Sequence, residues 1–232
     1  MPADSNIAKL VERQVRNWEI TRQQRLEVEE DRLEKQVADF VTVSRAVGSA
    51  GDQVAMQLAD RLGWPCFDKE ILQHMAADDQ VRTRLYEKMD QRDTSWLESV
   101  LRWVLQGEFR REDYAHRLSE TILTLARQGP AVFLGRGADF ILPQDRGLRV
   151  RLLAPREACI SGFFQQNQCD EKAARSRIEQ IEGERKEFFR NQFGKVKADP
   201  TRFDLLLNLD RVSHDEAIEL ILTALQLRGL DG

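Results

Sequence analysis

The chain's 232 residues, 41% hydrophobic and 32% charged, suit one α/β domain with a small appendage. Lys and Arg number 35 against 39 Asp and Glu, a formal net charge of −4. No field of one sign dominates, so a general nucleic-acid binder, a basic membrane-surface protein, and collagen-like, disulfide-scaffold or wholly disordered chains are excluded.

In chain order, residues 1–37 come first: a charged arm with no Gly and with Pro only at position 2. Ile7, Leu10, Val11, Val15 and Trp18 recur at helical spacing, with Asp4 or Ser5 as a cap. The stripe then thins to Leu26, Val28 and Leu33 among charges. A long, mostly solvated helix is one reading. The other is a homodimerisation or partner-docking arm, since so narrow an apolar stripe needs a partner surface. The first segment lacks the apolar stretch of a signal peptide, and the apolar run at 218–227 is too short to span a bilayer, so a cytoplasmic protein with no membrane association is expected.

Strand and helix signals alternate from residue 38 to about 230. Phe40-Val-Thr-Val43 is β-rich and is followed by the small-residue loop Ser44–Asp52. Val54, Ala55, Leu58, Ala59 and Leu62 then form an amphipathic helix that Gly63 and Pro65 stop. Cys66-Phe67 is a second short strand. Residues 69–128 read as a helical insertion, with Ser95 and Glu98 as a capping box and a stripe of Tyr114, Leu118, Ile122, Leu125 and Ala126. Strands return at Ala131–Leu134, Leu148–Leu153 and Phe203–Asn208. Pro155 suits a first helical turn, a charged helix runs from about Asp170 to Phe193, and Ser213 with Glu216 caps the last helix. The pattern predicts a three-layer α/β/α fold around a mostly parallel five-stranded sheet, with the insertion over the sheet's carboxyl edge.

Cys66, Cys159 and Cys169 form no CxxC pair, and His74, His116 and His214 lie far apart. Reduced thiols and no resident metal site are expected. The loop after the first strand carries more chemistry. Strand, small-residue loop and helix cradle phosphate, because glycines let backbone N–H groups approach the oxygens and the helix N-terminus is partially positive. Gly48-Ser-Ala-Gly-Asp-Gln53 nevertheless lacks the Lys and hydroxyl of the GxxxxGK[ST] signature, and alone a simple tight turn explains it as well.

The run Val43–Ala55, continued by Leu62-Gly-Trp-Pro-Cys-Phe-Asp-Lys-Glu-Ile-Leu72, resembles the cytidylate kinase-like family, P-loop relatives of nucleoside monophosphate kinases. Gly129–Leu142 is similar to that family's G-x-x-V-x-x-G-R-x-A-D-x-x-L segment. Glu184–Gly194 is similar to its lid, and Asp199–Asn208 to its last strand. The resemblance implies ATP with bound Mg2+ as donor and a nucleoside monophosphate such as CMP as acceptor. It implies that Ser44, Gly48, Ser49, Ala50, Gly51 and Asp52 wrap the donor phosphates. Asp68, Arg136 and Asp139 would face the acceptor, bound with the insertion. Arg177, Arg185 and Arg190 would sit on a lid over about 170–198, closing on the transferred phosphoryl group.

Other roles stay open for these residues: a helix cap for Asp68, an ion pair with Asp139 or Asp145 for Arg136, and surface ion pairs with neighbouring glutamates for the lid arginines. Trp96 and Trp103 read as core. Set against ordinary cytidylate kinases, Gly51 falls where the phosphate-gripping Lys stands and Gln53 where the metal-binding hydroxyl stands. Gly at the first of these is usual in the cytidylate kinase-like branch. Ala50 for Gly and Asp52 for Arg depart from that branch, and a carboxylate beside a phosphate site repels its ligand. Arg45 is the substitute for the Lys on this reading. A phosphotransferase, a nucleotide-binding regulator and a partner-binding module are the three functions compatible with the sequence.

Overall fold

The computed structural model describes residues 37–86, 97–98, 100–101, 114–144, 146–193 and 199–230, together with Lys9 and Glu12. The N-terminal helix, the Ser95–Glu98 capping box, Trp96, Trp103, Asp145 and the end of the lid segment at 194–198 lie outside the described residues. The described elements build a five-stranded parallel sheet, order β2-β3-β1-β4-β5, with flanking helices. This is the architecture the alternation predicts. The chain divides into two units. One holds Met1–Phe40, Gly63–Gly147 and Gly232, the other Val41–Leu62 and Leu148–Asp231.

The second unit begins in β1 (Phe40–Arg45), whose first four residues are all buried. Such a run, apolar on both faces, belongs to a strand covered on both sides. Parallel β4 (Leu148–Leu153) pairs with it, Ser44 opposite Arg151 and Arg45 opposite Leu152. β5 (Leu205–Asn208) pairs with β4 at the sheet edge. Helix α1 (Gly51–Leu62) buries Val54, Ala55, Leu58 and Ala59, the stripe expected from spacing. It packs on the last helix, α8 (His214–Leu227), and Arg61 joins Glu219 at 2.6 Å. The Ser213–Glu216 capping box is formed. Helices α6 (Arg156–Asn167) and α7 (Glu171–Phe193) pack together over a small core of Val47, Ile160, Ala174 and Ile178. Pro155 occupies the N-cap of α6, one residue outside the expected first turn.

The first unit pairs β2 (Cys66–Phe67) with β3 (Ala131–Leu134) in parallel, the rings of Phe67 and Phe133 lying 5.6 Å apart. Helices α2 (Lys69–Ala77), α3 (Asp79–Tyr86) and α4 (Tyr114–Gln128) pack on one another, and Gln128 Nε2 donates to Leu85 O at 2.9 Å. A four-residue helix, α5 (Ala138–Ile141), follows β3. No helix among the described residues is long and apolar enough to cross a membrane.

Candidate phosphate-binding site

In the second unit the loop leaving β1 is shaped by left-handed backbone. Gly48 has φ +80° and Ala50 φ +58°, so an L-alanine holds a conformation that glycine adopts without strain. Ser49 Oγ donates to Ala46 O at 2.9 Å and closes the turn. The loop lies tight on α6: a Cβ on Gly48 would run into the Cys159 carbonyl oxygen, and one on Gly162 would stand 2.5 Å from Gly48 O. In the first turn of α1, Gln53 N and Val54 N donate to Ala50 O, at 3.0 and 3.5 Å, so the capacity of the turn to hold an anion rests on the amides of Gly51 and Asp52.

Gly51 opens α1, and a Cβ there would stand 2.7 Å from Arg45 Cβ and 3.2 Å from Leu152 Cδ1. A lysine therefore does not fit at position 51 while the Arg45 stem lies in that space. Arg45 is held at both ends. Its Nε donates to Asp52 Oδ1, and its carbonyl oxygen accepts from Arg185 Nη1 at 3.1 Å. Arg151, opposite Ser44 on β4, donates to the Ser44 hydroxyl. Burial, with repulsion from Arg45 and Arg151, pulls the Arg185 guanidinium down to about 10, against partial support from Asp52 and Glu182. It stays charged at neutral pH but is poorly compensated, as expected for a cation set aside for an incoming anion.

The lid arginines separate in space. Arg185 reaches β1, whereas Arg190 is exposed beside Glu187 at 3.8 Å and Arg177 bonds Gln180 at 2.7 Å. Glu182, one of the neighbouring glutamates weighed as ion-pair partners, and Arg151, which the sequence reading does not single out, both act on Arg185. The signal for Arg151 was there, two arginines alternating along a strand whose other residues are apolar. Burial and then Glu182 push the Cys159 thiol up, which favours its neutral form.

In the first unit β3 ends in Gly135-Arg136-Gly137, three consecutive residues at φ +77°, +52° and +74°. The two glycines adopt that region freely, but Arg136 does so at a cost, the kind of strain that gathers at binding sites. Asp139 follows, buried in α5. Tyr114, at the start of α4, lies near enough to Arg136 and to Gln73 of α2 for both to favour its ionised form. Burial nevertheless raises its phenol above the ordinary value, so it is neutral at physiological pH. The sequence reading has Tyr114 in the apolar stripe of its helix and does not single out Gln73. Asp68 caps α2, accepting from the amides of Glu70 and Ile71, both at 2.9 Å through the same oxygen.

The parallel α/β sheet, with a left-handed loop leading from its first strand into a helix, has the strand–loop–helix arrangement that suits anion binding. A family model for the cytidylate kinase-like family matches residues 40–211, and the chain belongs to that family. A solved uncharacterized protein from Eubacterium ventriosum ATCC 27560 shares 22% identity. It covers 83% of this chain and 99% of its own, with a TM-score of 0.64. A gluconokinase from Sinorhizobium meliloti 1021 is 13% identical over 83% of this chain and 94% of that one, TM-score 0.42. A shikimate kinase from Bacteroides thetaiotaomicron is 12% identical over 81% and 98%, TM-score 0.39. No curated protein matches the chain.

Proposed function

We propose that this protein is a nucleotide-dependent phosphotransferase that moves a phosphoryl group from ATP to a nucleoside monophosphate such as CMP. The observation that carries the reading is the arginine cluster of Arg45, Arg151 and Arg185 around the loop, where burial first, and then repulsion from Arg45 and Arg151, hold Arg185 below its ordinary value. Phosphate oxygens would relieve that repulsion. Family membership supports the reaction class.

On this reading the loop amides and Ser44, Gly48, Ser49, Ala50, Gly51 and Asp52 surround the donor phosphates, Arg45 and Arg185 supply the positive charge, and Arg190 joins from the lid. In the other unit Arg136 grips the acceptor phosphate, with Asp68 and Asp139 as acceptor-binding carboxylates and Tyr114 as a neutral hydrogen-bonding group. An acceptor oxygen attacks the terminal phosphorus of the donor, the bond to the bridging oxygen breaks, and ADP leaves. The attacking oxygen is already ionised, so charge and positioning matter more than a base. Arginine suits the task through its planar, bidentate fork. Among the described residues no three His, Cys, Asp or Glu side chains converge on a cation site. Mg2+ would accompany the donor phosphates and screen their charge.

The test is to incubate the protein with ATP, Mg2+ and a panel of nucleoside monophosphates and to analyse the products. The expected result is matched ADP and nucleoside diphosphate, lost in Arg136→Ala. A second reading, nucleotide binding with little transfer, is favoured by Gln53 at the metal-hydroxyl position. Under it, nucleotide raises the melting temperature and no product forms. Absence of both effects at millimolar nucleotide overturns both readings.

A further inference from the structure

Asp52 is the residue most at odds with a phosphate loop, and its geometry reverses the expectation that it repels the ligand. Its carboxylate meets Arg45 side-on, at Nε. Arg45 Nη1 and Nη2, the terminal pair that grips phosphate bidentately, make no hydrogen bond among the described residues. The arginine side chain is 13% exposed and the carboxylate 53%, so Asp52 stands on the solvent side of the guanidinium. Two further constraints fix the same arginine. Arg185 Nη1 holds its carbonyl oxygen, and Gly51 leaves room for its stem.

We propose that Asp52 is a positioning residue: by holding Arg45 at Nε it keeps the Nη1–Nη2 edge presented for bidentate capture of a donor phosphate. The proposal rests on the donor role of the loop proposed above. It explains how a carboxylate is tolerated beside a phosphate site, since its charge is engaged by Arg45 and also supports Arg185. Remove that carboxylate, and Arg45 loses its tether while the mutual repulsion of Arg45 and Arg185 goes unopposed. Simple charge counting predicts that losing an anion helps an anionic ligand bind. The positioning role predicts the opposite.

The experiment is calorimetric titration of Mg-ATP into the full chain and its Asp52→Ala, Asp52→Asn, Arg45→Ala and double Arg45→Ala/Asp52→Ala variants, each first checked by ligand-free melting. Asp52→Ala should weaken binding ~10-fold, or ~1.4 kcal/mol. Asp52→Asn, the same size and still offering an oxygen to Nε, should stay within ~3-fold of the unmodified chain and guards against misfolding. In the Arg45→Ala background Asp52→Ala should cost less than ~2-fold, because Asp52 acts through the arginine. Equal or tighter binding by Asp52→Ala overturns the proposal, as does an undiminished loss in the Arg45→Ala background. If the unmodified chain binds no Mg-ATP, the donor reading itself fails. Binding that is indifferent to Asp52 removes only the positioning role.

Discussion

Two residues at the loop, Ala50 within it and Arg185 reaching it from α7, carry an energetic penalty. Ala50 sits at φ +58°, where an L side chain costs about 1 kcal/mol, partly offset by the extra unfolded-state freedom glycine would bring. Ala50→Gly should therefore raise the ligand-free melting temperature, by ~1–3 °C for a chain of this size. A fall would mean that the alanine is not strained. Arg185 carries the larger penalty. The drop to about 10 from the ordinary arginine value corresponds to roughly 3 kcal/mol against the charged native form, less ~1 kcal/mol for its bond to Arg45 O. Arg185→Met should thus stabilise the ligand-free protein in urea at pH 7 while abolishing stabilisation by inorganic phosphate. Because the folded value lies below the ordinary one, the native state gives up its proton first as pH rises. The penalty is complete below about pH 10 and is relieved as pH rises above it, so the advantage of Arg185→Met shrinks there. An advantage that stays constant with pH would contradict this account. These residue-scale features were only half legible. The arginines stood out, but Arg185, Arg177 and Arg190 look alike in sequence, and which one reaches β1 is a matter of helix phase and packing. Asp52 read as a repelling charge because its pairing with Arg45 depends on a loop conformation that no propensity specifies.

At the scale of elements, the loop owes its shape to α6 as much as to its own residues. Gly48 and Gly162 approach backbone to backbone, so Gly162→Ala has to push the loop away. It should cost ~1–3 kcal/mol, the range for overpacking, and should weaken nucleotide binding as well. Gly183, within α7, has nothing within 4 Å of an added Cβ. Gly183→Ala should instead stabilise by ~0.5–1 kcal/mol through helix propensity, with binding unchanged. Chemical denaturation and phosphate titration of the pair check both, and equal effects would show that the approach on α6 has no special role. The strands and long helices were legible because their apolar periodicity is local. Residues 156–167, where no stripe was read beyond Pro155, and the four-residue α5 were not, since neither carries a periodic face and α5 is set by the left-handed turn at 135–137.

For the whole molecule, parallel pairing and the five-strand count followed from the alternation of strand and helix signals. The order β2-β3-β1-β4-β5 did not, because pairing between distant strands leaves no local trace. The near-neutral total charge likewise conceals three arginines gathered around one loop. Family membership and that cluster support the proposal above, phosphoryl transfer with Arg45 taking the part of the missing lysine. The most direct test follows the γ-phosphoryl group itself, with terminally labelled ATP, Mg2+ and the best acceptor from the panel. The account predicts label in the nucleoside diphosphate, at a rate reduced by at least ~100-fold, or ~2.7 kcal/mol, in Arg45→Ala. Label released only to water, or Arg45→Ala transferring as fast as the unmodified chain, would contradict it.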